Sequence, residues 1–128
     1  MIFTSFQFTI LFMLLMHLVA DYTLQGWLAD GKQMSWWKRQ FGGFEDSIVP
    51  KKYRYDYIAA LVCHSLYWSI LICIPFYASP IVWVAVLVNT VVHAIVDDLK
   101  ANRKKLNLIE DQLIHAVQIV GTALVFFI

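Results

Sequence analysis

Charge is scarce in this chain. Only 15% of its 128 residues are Asp, Glu, Lys or Arg, where a soluble domain carries about a quarter. With 60% of residues hydrophobic, 16% aromatic and a mean hydropathy of +0.64, a soluble fold this small would leave a large apolar area in water, which argues against that class. Cysteine is also scarce. Cys63 and Cys73 share one apolar run, and their spacing turns a helix so that they point about 80° apart, which disfavours a disulfide between them. Low-complexity tracts are missing, and so are internal repeats beyond loosely recurring His/Asp pairs. A net charge of +1 says nothing about nucleic acid, which is not an expected partner; the distribution of charge says more.

What the chain has in quantity is apolar sequence, divided into four segments at about residues 2–27, 57–77, 81–99 and 108–128. Each is close to the roughly 20 residues that cross a bilayer as a helix. One domain is therefore expected: an all-α, polytopic integral membrane protein, a bundle of four transmembrane helices. Pro75 and Pro80 bracket a short link, Phe76 to Ser79, which reads as a tight hairpin turn. The first segment lacks a basic n-region and runs longer than a typical signal-peptide core, so it reads as a retained span.

All ten Lys and Arg fall in two segments, Lys32 to Arg54 and Lys100 to Lys105; the N-terminus, the Phe76–Ser79 link and the C-terminus carry none. Four spans put both basic loops, 29–56 and 100–107, on one side. Retention of positive charge makes that side cytoplasmic and both termini external, in a bacterial-type inner membrane. The 29–56 loop mixes Trp36, Trp37, Phe41, Phe44, Tyr53 and Tyr55 with its basic residues. Such a mixture favours the headgroup region, with a short interfacial helix over Met34–Phe41 ended by Gly42-Gly43.

Within the apolar segments, three of the four histidines have an aspartate at helical spacing: His17 with Asp21, His93 with Asp97, and Asp111 with His115. Residues four apart share a helix face, and ionisable groups are costly in a membrane unless they turn inward and serve a function. The topology places these pairs and His64 at one level, about 10–15 Å below the cytoplasmic interface at 1.5 Å per residue. Asn89 continues the stripe of His93 and Asp97, Gln25 that of His17 and Asp21, and Gln112 lies beside Asp111.

Imidazole and carboxylate are ligands for a divalent transition metal, zinc first, with iron, manganese or nickel compatible. The expected ligands are His17, Asp21, His64, His93, Asp97, Asp111 and His115, with Gln25, Asn89 and Gln112 orienting them. His17, His93 and His115 lead this set, and His64 is its weakest member. Seven ligands suffice for two ions sharing a carboxylate, or for one ion with Asp21, Asp97 or Asp111 left over as general base. A site at this depth suits a metal-dependent hydrolase acting on a lipid-like or membrane-delivered substrate. Two other classes use the same residues. One is a non-enzymatic membrane interaction protein, a host or phage factor, monomeric or homo-oligomeric, whose polar core only holds the helices together. The other conducts protons or metal ions, for which the outer halves of the spans offer few polar residues.

The ordered motifs resemble those of a small family of four-span membrane proteins found in bacteria and their viruses, one without an assigned function. It carries HLxxDxxLQ in the first helix, here His17 to Gln25. A histidine early in the second is here His64, HxxxD in the third is His93 to Asp97, and DQxxH in the fourth is Asp111 to His115. The resemblance covers nearly the whole chain outside the middle of the 29–56 loop. A looser similarity links it to inner-membrane proteins labelled metal-dependent hydrolases, which implies a bound metal and hydrolysis but no particular substrate.

Overall fold

A computed structural model describes residues 5–42 and 48–128. Phe44 of the 29–56 loop and Gly43, the expected end of its helix, lie outside the described residues. The described residues are all-helical in class, and no strand occurs among them. Four stretches are long and apolar enough to cross a membrane: Phe6–Thr23, Lys51–Phe76, Val82–Ala101 and Leu108–Phe127.

The first span is an α-helix, α1 (Phe6–Leu18), that widens into a π-helical turn at Val19–Thr23. Leu24 N donates to Val19 O at 2.9 Å, one residue beyond the α-helical register. Gln25 Nε2 bonds to Asp21 O inside that turn. Gly26 ends the span with φ +51°, a conformation that disfavours a Cβ. Two short helices follow, α2 (Leu28–Gly31) and α3 (Met34–Gly42). The Trp37 indole donates to Gly31 O at 2.7 Å and ties them together.

The second span centres on α4 (Asp56–Cys73). It ends in a 3-10 turn containing Pro75, and Ser79 N closes the hairpin on Phe76 O at 2.8 Å. This is the expected tight link. The third span is α5 (Val82–Ala101) and the fourth is α6 (Leu108–Phe127). Helix α6 begins with a reciprocal cap: Asn107 Oδ1 accepts from Glu110 N, and Glu110 Oε2 accepts from Asn107 N, both at 2.9 Å. Two of the four orphan donors at that terminus are thereby satisfied.

In the bundle α1 packs on α4 and α6, while α5 packs on the same two, so that neighbours run antiparallel around a closed ring. The outward faces are Leu, Val, Ile and aromatic: Leu11, Leu15, Leu87, Val91, Leu113 and Val117 are all exposed. The interior divides into two halves. Toward the α4–α5 hairpin it is apolar, with Met13, Ile72, Phe76, Val86, Ile119 and Ala123 buried together and the Phe76 and Phe126 rings stacked at 4.1 Å. Toward the two basic loops it is polar, and all four histidines are buried there. An apolar outside around a polar inside is the arrangement expected of helices solvated by lipid. Both cysteines are free.

Candidate metal centre

Each of the four spans contributes one imidazole to the polar half. Ring centroids are 5.2 Å apart for His64–His93, 4.1 Å for His93–His115 and 5.5 Å for His17–His115. The three aspartates lie among them. The pairs within single helices measure 3.5 Å for His17–Asp21, 3.6 Å for His93–Asp97 and 3.3 Å for His115–Asp111. Three pairs between helices are as short or shorter: His64 Nε2 lies 3.2 Å from Asp21 Oδ1 and 3.3 Å from Asp97 Oδ2, and His115 Nε2 lies 3.2 Å from Asp97 Oδ1. The seven expected ligands thus form one buried cluster.

Hydrogen-bond partners fix which ring nitrogens are free. The Trp68 indole N–H, which can only donate, points at His17 Nδ1 from 2.9 Å. His17 therefore carries its proton on Nε2, which donates to Gln112 Oε1 at 2.8 Å. The Gln112 amide is oriented in turn, because its Nε2 donates to Asp111 Oδ2 at 3.0 Å. Both nitrogens of His17 are occupied, so this leading candidate stands at the edge of the cluster as a link in a directed chain, Trp68 to His17 to Gln112 to Asp111.

His64 is placed the opposite way. The Tyr67 hydroxyl donates to Ala20 O at 2.7 Å. It can therefore only accept from His64 Nδ1, 3.1 Å away. The proton is on Nδ1, and the Nε2 lone pair points into the cluster. There it meets Asp21 Oδ1, Asp97 Oδ2 and His93 Nε2, the last at 3.2 Å. His93 Nε2 lies 3.8 Å from Asp21 Oδ1 and 3.6 Å from Asp97 Oδ2. Carboxylate oxygens and a bare ring nitrogen at such distances repel unless a proton or a cation lies between them; with its Nδ1 unpartnered, His93 supplies such a proton from Nε2 to His64 Nε2 when no cation is bound. Those separations are close to the edges of a coordination shell with bonds of about 2.0–2.2 Å. Among the described residues Asp21 Oδ1 has no hydrogen-bond donor.

Two groups have ligand atoms close enough to hold a metal ion: Asp21, His64 and His93, and His93, Asp97 and His115. His64, the weakest candidate by sequence, sits at the centre of the first because its other nitrogen is held by Tyr67. A ligating histidine is normally oriented in this way. His93 packs against the Trp68 ring at 4.0 Å and the His115 ring at 4.1 Å, which lie 5.6 Å from each other. Stacking holds its plane, while its Nδ1, like that of His115, has no partner among the described residues.

Two lysines that spacing did not single out complete the cluster. Lys32, just after α2, donates to Asp97 Oδ2 at 2.7 Å, and Lys100 donates to Asp111 Oδ2 at 2.9 Å. Both carboxylates are thereby engaged in salt bridges. The α2–α3 segment is pinned here a second time, since Asn102 accepts from Met34 N at 2.7 Å and donates to Lys32 O at 3.0 Å. The two basic loops therefore meet at one end of the bundle. Three carboxylates against two ammonium groups leave one negative charge when the imidazoles are neutral.

The remaining candidates lie further out. Gln25 holds the π turn through Asp21 O. Asn89 lies one turn from His93 toward the hairpin end, and its side chain bonds to Thr122, Gln118 and Ala85 O. Asp98 pairs with Arg103 at 2.8 Å on the outside. The exposed Glu110 caps α6 instead of lining the cluster. No family model matches the chain, and no curated protein or solved structure does.

Proposed function

We propose that this chain is a membrane-embedded metal-binding protein: a metal-dependent hydrolase whose site lies in the cytoplasmic leaflet and takes a lipid-like or membrane-delivered substrate. One observation carries the reading. His64 Nε2, Asp21 Oδ1 and Asp97 Oδ2 converge with His93 Nε2 at 3.2–3.8 Å in a buried interior, a donor set that fits one cation in place of the proton the two histidines otherwise share. Zinc suits two imidazoles and one or two carboxylates, and iron or manganese would accept the same donors. One ion is favoured over two. The residual charge of the cluster is −1, so a single divalent ion brings it to +1, whereas two would leave +3 in a low-dielectric interior.

When bound, the ion supplies Lewis acidity and lowers the pKa of water at the site. The chain's residues do the remainder. Tyr67 fixes the tautomer of His64. Lys32 and Lys100 hold Asp97 and Asp111 in position. Asp111, outside both ligand groups, is the carboxylate left to accept a proton. The location of the basic loops supports the cytoplasmic leaflet, and the motif resemblance agrees with a metal-dependent hydrolase.

Charge balance favours a second reading as well. A proton on His64 Nε2, between Asp21 and Asp97, would also neutralise the cluster and make it a structural polar core. Metal content separates the two. Protein purified without chelator is expected to hold about one equivalent of transition metal, with His64→Ala losing it and His17→Ala keeping it. Wild-type protein with no stoichiometric metal after zinc supplementation would establish the structural core instead.

A further inference from the structure

The histidines of the cluster are sealed, but its two lysines are not. The Lys32 and Lys100 side chains retain 12% and 34% exposure, while those of His64, His93 and His115 retain none. The lysines are therefore the part of the site that a ligand arriving from the cytoplasmic interface meets first. Their ammonium groups bond to Asp97 Oδ2 and Asp111 Oδ2 and are point charges able to hold a phosphate oxygen as well. Resting on the metal-site reading above, we propose that the site selects a singly charged phosphate group, with a phospholipid headgroup or free phosphate as its source.

The selection follows from charge. Three carboxylates, two lysines and one divalent ion sum to +1, and one phosphate charge closes the cluster to neutrality. A neutral carboxylic ester would leave the positive charge uncompensated, and a doubly ionised phosphate would overshoot to −1. In a buried site each imbalance is unfavourable because the low dielectric neither solvates nor screens it. A lipid source is supported by an apolar groove of about 420 Å³ between α4 and α5, lined by Ile58, Leu61, Val62 and Ile95 and ending at Asp98 and Arg103. Arg103, just past the end of α5 and paired with Asp98, puts the mouth of the groove at the same end of the bundle as Lys100.

The test reads zinc affinity as a function of lipid charge, since a ligand that binds the metal-loaded state tightens metal binding by linkage. Full-length protein is placed in nanodiscs of phosphatidylcholine, of phosphatidylcholine with phosphatidylglycerol, and of phosphatidylcholine with added inorganic phosphate. Zinc is titrated against a competing chelator. Wild-type protein is expected to bind zinc at least tenfold more tightly in the anionic discs. Lys100→Met, whose metal-loaded cluster is already neutral, should bind zinc without that dependence, and Lys100→Arg should retain it. The attraction of anionic discs for zinc ions is common to all three proteins and cancels. Tightening by inorganic phosphate alone would identify free phosphate as the source, and its absence would identify the lipid. Equal lipid dependence in wild type and Lys100→Met, or none in wild type that binds zinc, overturns the proposal. No zinc bound in any disc would overturn the metal reading and this one with it. Lys32→Met, which removes the same charge from the other basic loop, gives an independent second comparison.

Discussion

The tautomer argument at His64 can be tested at a residue outside the cluster. Tyr67→Phe removes one oxygen and leaves the ring, so no cavity of consequence forms. That oxygen accepts from His64 Nδ1 at 3.1 Å and donates to Ala20 O at 2.7 Å. Without it, a proton on Nδ1 loses the acceptor it has. The neutral ring then favours the other tautomer, with Nε2–H donating to Asp21 Oδ1 or Asp97 Oδ2 at 3.2–3.3 Å. This self-satisfied state has no lone pair for a metal. Binding must return the proton to Nδ1 and leave it unpaired, a penalty of about 1–3 kcal/mol. Loss of an orienting partner commonly lowers metal affinity about 10–100-fold, which is ~1.4–2.7 kcal/mol and agrees with that range.

Zinc affinity should therefore fall about 10–100-fold in Tyr67→Phe, measured by chelator competition in detergent or nanodiscs. The melting temperature of the metal-free protein should change little, because hydrogen bonds between helices in a membrane average only about 0.6 kcal/mol. An affinity within twofold of wild type would refute the reasoning, since it would mean that Tyr67 does not set the His64 tautomer or that His64 is not a ligand.

Three further outcomes follow from named contacts. Lys32→Met leaves the buried Asp97 carboxylate without its 2.7 Å partner; the metal-free protein should lose about 3–5 kcal/mol, with zinc restoring much of it in a thermal melt. Asn107→Ala breaks the reciprocal cap on α6 and should cost about 1 kcal/mol in denaturant titration while leaving zinc affinity unchanged. Gly26→Ala puts a Cβ at φ +51° where no neighbouring atom lies within 4 Å; the loss, about 1 kcal/mol, should come from the backbone alone and appear as faster proteolysis of the segment after the first span.

How much of this was legible in the sequence depends on the range of each interaction. The four helices were, because hydrophobicity sustained over about 20 residues is a local property. The expected boundaries 57–77 and 81–99 correspond to spans Lys51–Phe76 and Val82–Ala101, and helix ends depend on caps and turns that hydropathy does not register. The convergence of His17, Asp21, His64, His93, Asp97, Asp111 and His115 was also legible, since polar stripes on lipid-exposed helices have only the interior to face. Their roles were not. His17 led the candidates because of Asp21 four residues away, yet its ring is committed by Trp68, 51 residues away, and Gln112, 95 residues away. His64 ranked last because it has no aspartate at helical spacing, yet two aspartates from other helices face it. Lys32, 65 residues from Asp97, counted in the sequence only toward the charge asymmetry of the loops.

The π turn shows why spacing alone misassigns partners. Four residues mark one face only if the helix is regular, and Asp21 sits where it is not. The wider turn at Val19–Thr23 leaves Asp21 3.5 Å from His17 but only 3.2 Å from His64 on the neighbouring helix. Single-turn π bulges of this kind occur often at functional sites. Here the bulge transfers a carboxylate from its own helix to the group shared by His64 and His93. A pattern of i, i+4 pairs therefore located the cluster correctly, while the ligand set within it depends on contacts between helices and on which nitrogen of each ring is already occupied.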